Sequence, residues 1–219
     1  QAHAINKGLK YCNGEIITWL NSDDYYFLDS FDKVLKDINI NRAQVIFGNC
    51  NHLFEETGKI ISSDVLYKHQ NFNIKLYDYI IQPSTFITKK AWEKIGNLNT
   101  DLEYVFDWEW FIKAHLNKIE FLPTKKFLSV YRIHDGHKTG SGNEKRYKEF
   151  ERLYEKYNGS KYKELFKFFL KKQNYIERFS QKMNSLKLNR FDIYILKIIF
   201  FRKLINFKNI EIRNLIMAK

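Results

Sequence analysis

Apolar positions in the first 141 residues change period repeatedly, from one per helical turn to short continuous runs and back. Residues 1–11 place Ile5 and Leu9 one turn apart, with Ala2 and Cys12 nearby, which predicts a helix closing near Asn13-Gly14. Residues 16–20 follow as a run rich in β-branched and aromatic types and predict a buried strand. Beyond it, Phe31, Val34, Leu35 and Ile38 fall at i, i+3, i+4 and i+7, the stripe of an amphipathic helix. Residues 44–47 predict a strand ended by Gly48-Asn49, and residues 52–54 with 59–61 predict a hairpin around Gly58. Residues 62–81 lack a clear period and read as a loop with short helical pieces. The pattern continues with a strand at residues 85–88, a helix at 91–95 stopped by Gly96, a helix from Asp107 through Phe111, Ala114 and His115, and strands at 119–122 and 127–134. Strand, helix, strand at these lengths is an α/β arrangement.

From Glu144 onward the strand and turn signals disappear, and Phe150, Leu153, Tyr154 and Tyr157 are spaced as in helices. The polar stretch 135–143, with three glycines, reads as a mobile connection. An α/β domain over residues 1–142 and a helical region over 143–219 are therefore expected. Charge sharpens the division. Residues 1–144 hold 17 Lys and Arg against 18 Asp and Glu, whereas residues 145–219 hold 20 against 7, so the net +12 lies entirely in the tail. Such a surface suits acidic partners, although lysines decorating solvated helices give the same count. Residues 191–207 are the most apolar stretch, but Lys197, Arg202 and Lys203 interrupt it and it is too short to span a membrane. It is suited to lying on a membrane surface or packing on the first domain. Cys12 and Cys50, without CxxC or histidine spacing, give neither a metal site nor a disulfide framework, and no signal-peptide pattern opens the chain. A reducing, cytoplasmic setting is expected.

The first predicted strand ends in Asn21, Ser22, Asp23 and Asp24. Open α/β sheets bind ligands at the carboxyl ends of their strands, and carboxylates beside an amide and a hydroxyl supply the oxygens that Mg²⁺ or Mn²⁺ prefers. The same residues also fit a polar turn that caps the next helix. Gln82, Ser84 and Thr85, around Pro83, offer hydrogen bonds to a hydroxyl-rich ligand or form a plain turn. Asp107 and Glu109 are two apart, so on a helix they diverge and cannot serve as a facing carboxyl pair. That leaves a single base.

Ala4-Ile5-Asn6-Lys7-Gly8-Leu9, Asn13 to Ile17, Trp19 to Asp24, Gln82 to Phe86, Phe106 to Trp110 and Tyr131 to Asp135 together resemble the core of the family 2 inverting glycosyltransferases. The resemblance implies a partial GT-A fold, a mixed-sheet α/β domain followed by the basic α-helical region, and it implies that a first set of strand and helix units is missing ahead of Gln1. It also implies transfer of a sugar from a nucleotide-diphosphate sugar to an acceptor hydroxyl. On that reading Asp107 is the base and Glu109 its fallback. Asn6, Gly8, Asn21, Asp23 and Asp24 bind the donor. Asp24 holds a divalent cation, Mg²⁺ or Mn²⁺, and Asp23 the ribose or the metal's surroundings. Asn21 stands where the family commonly has Asp, so a neutral hydrogen-bonding role is expected there. His134 approaches the diphosphate or the metal, and Gln82, Ser84, Thr85 and Trp108 meet a saccharide or lipid-linked acceptor. A peripheral place on the inner face of the cell membrane follows from the tail. Two other readings compete: a basic module gripping nucleic acid through Lys, Arg and aromatic side chains, and an inactive fragment acting as a scaffold.

Overall fold

Gly48 marks the point around which the central sheet is built. A β-carbon there would lie 2.6 Å from both Leu128 Cδ1 and the Lys126 carbonyl oxygen. Only glycine lets the two longest strands, β3 (Gln44–Phe54) and β6 (Glu120–Ile133), run side by side in parallel. The pairing shifts register between Phe47 and Asn49, and the Asn49 amide fills the irregularity by donating to the Lys125 carbonyl at 3.1 Å. The structure, a computed structural model, describes residues 1–134 and 143–159.

The remaining elements in chain order are α1 (Ala2–Leu9), β1 (Ile16–Ile17), β2 (Tyr25–Tyr26), α2 (Ser30–Leu35), β4 (Lys59–Ser62), α3 (Val65–Asn71), a 3-10 turn (Gln82–Ser84), β5 (Thr85–Thr88), α4 (Lys89–Ile95), α5 (Phe106–Leu116) and α6 (Asn143–Asn158). The sheet order is β1-β5-β3-β6-β2, with β4 hairpinned onto β3; every pairing except β3 with β6 is antiparallel. This is the mixed α/β architecture expected of a partial GT-A domain. Predicted strand 16–20 shortens to Ile16–Ile17, because only those residues find a ladder partner, on β5.

Side chains alternate across the sheet. Ile46, Phe86 and Leu128 cluster with Val34 of α2 on one face, where Tyr26 and Phe31 also pack on Phe86. On the other, Phe47 meets His69 of α3, Tyr79 and Phe121. Thr88 caps α4 by accepting the Ala91 N–H, and Gly96 ends it at φ 84°, a conformation glycine adopts without strain.

The fold divides into two compact units. Residues 1–70 and 78–150 form the first, which contains the whole sheet. The second comprises residues 71–77 and, among the described residues, 151–159. Among its described residues, Tyr154 donates to the Leu76 carbonyl at 2.6 Å and Asn158 to the Lys75 carbonyl at 2.8 Å. Residues 135–142 and most of the basic tail, 191–207 included, lie outside the described residues.

Candidate active site

A cleft of about 620 Å³ opens in the first unit, between α1, the turn after β1, the segment 78–83 and the entry to α5. Its acidic wall follows from the short β1. The chain turns at residues 21–24, where the Asp24 N–H bonds to the Asn21 carbonyl at 3.2 Å, and then pairs with β6 as β2. Asp24 is buried and faces inward: its Oδ1 accepts the Arg132 N–H at 3.0 Å and its Oδ2 the Asn21 amide at 3.1 Å. Burial pushes its carboxyl up from the ordinary value, and these two donors pull it partly back. Asp23 instead lines the cleft, with Oδ2 3.2 Å from Nε2 of His134 at the end of β6. Two adjacent carboxylates are thus divided between anchoring the turn and facing the cavity.

Across the cleft stands Asp107, in the first turn of α5. The residue at the head of that helix, Val105, brings no side-chain cap, and Asp107 Oδ1 accepts the neighbouring Trp108 N–H at 2.8 Å. The helix is fastened from behind by Trp110, which stacks on Trp92 at 5.4 Å and donates to the Gly96 carbonyl at 2.8 Å. Glu109, two positions on, is only 2% exposed and lies outside the cleft lining, as the helical divergence requires.

The other residues expected at the site separate in the same way. Asn21 and Gln82 line the cleft; the Gln82 amide donates to the Trp19 carbonyl at 2.5 Å and so joins the segment 78–83 to the turn. Ser84 is fully buried, bonded to the Asn49 carbonyl and Ser129, while Thr85 closes on the Ile81 carbonyl. Trp108 packs inward against Phe150 at 5.3 Å. Asn6 uses both ends of its amide on the Leu98 backbone, at 2.8 and 2.9 Å, pinning α1. Gly8 faces open space. None of these last five lines the cleft.

Sequence reasoning passed over Asp78, Glu103, Tyr104, His52 and Tyr131, all of which line it. Asp78 lies in the aperiodic stretch 62–81, where no pattern singles it out. It is solvent-accessible yet surrounded by a concave wall; that enclosure, and then the Asp107 carboxylate, push its carboxyl well up. His52, held against the Ile61 carbonyl at 3.2 Å, is pushed below its ordinary value chiefly by burial. Among the described lining residues there is no lysine or arginine, and the acidic side chains are Asp23, Asp78, Glu103 and Asp107.

Residues 1–96 match the protein family described as Glycosyl transferase family 2. An uncharacterized glycosyltransferase of Rickettsia typhi is 22% identical over 147 residues, covering 63% of this chain and 46% of that protein. EpsH of Bacillus subtilis, which its name describes as a glycosyltransferase, is 27% identical over 143 residues, covering 59% of this chain and 40% of that protein. The matched stretch spans less than half the length of either curated relative. With the mixed sheet, and an acidic turn and a helix-borne aspartate opening into one cleft, the comparisons make residues 1–96 similar to part of the family 2 glycosyltransferase domain.

Proposed function

We propose that the protein transfers a sugar from a nucleotide-diphosphate sugar to an acceptor hydroxyl with inversion at the anomeric carbon, in the synthesis of a bacterial cell-surface polysaccharide or glycolipid. The observation that carries this reading is that Asp23, beside His134, and Asp107 line the same cleft. An acceptor hydroxyl is a weak nucleophile, so a carboxylate must take its proton as the new bond forms. Asp107 takes it. The acceptor oxygen bonds to the anomeric carbon, the bond to the diphosphate breaks on the opposite face, and the electron pair leaves with the diphosphate. Asn21 and Gln82 offer amides to the hydroxyl groups of the substrates.

The family generally uses a divalent cation. Among the described residues no cluster of three or more His, Cys, Asp or Glu side chains is arranged to hold one. Mg²⁺ is commonly held by one or two protein carboxylates, with water and substrate phosphates completing its shell. Asp23 and His134 would hold the ion, with Asp24 fixing the turn behind them. When bound it supplies positive charge against the departing diphosphate, which no lysine or arginine of the described lining provides. The basic tail supports a peripheral place on the cytoplasmic face of a membrane, where a lipid-linked acceptor is found.

The test is Asp107→Asn. Turnover should fall by about 10²- to 10⁴-fold, roughly 3 to 5 kcal/mol of barrier, with divalent-dependent binding of the nucleoside diphosphate retained. A variant that transfers sugar at the wild-type rate would move the base elsewhere.

A further inference from the structure

Glu149, on α6, is a carboxylate only 2% exposed and takes no part in the proposed chemistry. Its Oε1 accepts the backbone N–H of Glu103 and its Oε2 that of Tyr104, each at 2.8 Å. Those two residues line the cleft and precede Asp107 by four and three positions. Since Val105 supplies no side-chain cap, the entry to α5 is held from outside the helix. The same stretch of α6 adds two more contacts. Lys145 pairs with the Glu103 carboxylate, and Phe150 packs on Trp108, the neighbour of Asp107. A carboxylate buried this far persists only when its oxygens are hydrogen-bonded, and a two-point grip fixes the orientation of the peptide pair as well as its position.

We propose that Glu149 is a positioning residue for sugar transfer: by gripping the Glu103 and Tyr104 amides it holds the Asp107 carboxylate at a fixed place in the cleft wall. The inference rests on the reading of Asp107 as the base. It makes the first turns of α6 part of the active-site support. A packing role alone would lower stability and leave the environment of Asp107 unchanged.

The experiment compares Glu149→Asp, which keeps the charge but falls one methylene short of the amides, with Glu149→Gln, which keeps the shape and removes the charge. Both leave in place Asp78, which interacts with Asp107, the Lys68 and Arg146 charges that act on Asp78, and the Glu103–Lys145 pair. The first readout needs no substrate: titration of the Asp107 side-chain carboxyl followed by ¹³C NMR in the intact chain. Both variants should displace its midpoint by about half a unit or more. In a transfer assay kcat should fall about tenfold or more while the donor KM stays within about twofold, since a small misplacement of a catalytic group is costly to the reaction step. An unmoved Asp107 midpoint in a folded Glu149→Asp protein, or one displaced only in Glu149→Gln, overturns the proposal; the latter would be an effect of charge alone. If the wild type transfers no sugar, the functional reading fails, and the titration still decides the role of Glu149.

Discussion

His69 is half-buried between the sheet and Tyr79, whose hydroxyl lies 2.9 Å from its Nδ1. Burial, and then nearby His115, push its pKa below the ordinary 6.5. The unfolded chain therefore takes up a proton near pH 6.5 that the folded protein resists, so this contribution to stability is complete above that pH and is lost as pH falls through it. Urea unfolding at about pH 7.5 and about pH 5.5 should show a smaller acid loss for His69→Gln than for the wild type. Identical losses would remove the burial argument. At this scale some roles were legible and others were not. The divergence of Asp107 and Glu109 follows from helix geometry alone. The division of labour between Asp23 and Asp24 does not, because the partner that turns Asp24 inward, the Arg132 N–H, is 108 residues away. Nor does the sequence show that the Asn6 amide bonds to the Leu98 backbone, 92 residues on.

Where the sequence predicts two interruptions, at Gly48 and between residues 122 and 127, the structure has two unbroken strands whose register shifts between Phe47 and Asn49 and again between Asn49 and Cys50. Glycine and proline signals mark a bulge as readily as a strand end. Phe47 faces Pro123 and Asn49 faces Phe127, so Gly48 and residues 124–126 occupy the gap in the ladder. A local pattern cannot tell these cases apart, because a strand that resumes in the same sheet is defined by its partner. Gly48→Ala tests the point. Its new methyl would meet Leu128 and a backbone carbonyl at 2.6 Å, so the strands must separate. The cost should be about 1 to 3 kcal/mol, read from the denaturant midpoint at constant slope. A neutral substitution would mean that β3 and β6 do not approach as closely as described.

Charge is divided along the molecule as chemistry is. Residues 1–144 are nearly neutral overall and line an acidic cleft, while the basicity falls in the chain that follows. Residues 160–219 alone hold 15 Lys and Arg against 4 Asp and Glu. Among the described residues no helix is long and apolar enough to cross a membrane; the proposed membrane contact rests on the charge of the tail. Anionic lipid contributes about 1 kcal/mol per basic residue near the surface, and four or five residues facing lipid give a measurable partition. Confinement of the charge to the tail leads to a directional expectation. The full chain should co-sediment with vesicles containing anionic lipid and not with neutral ones. A chain ending at residue 159, which retains α6 and the Glu149 grip, should stay in the supernatant with both. Added salt should release the full chain as the Debye length shortens. Equal pelleting of the two chains, or no preference for anionic lipid, would separate the tail from the membrane. It would leave its basic residues solvated or in contact with another acidic partner.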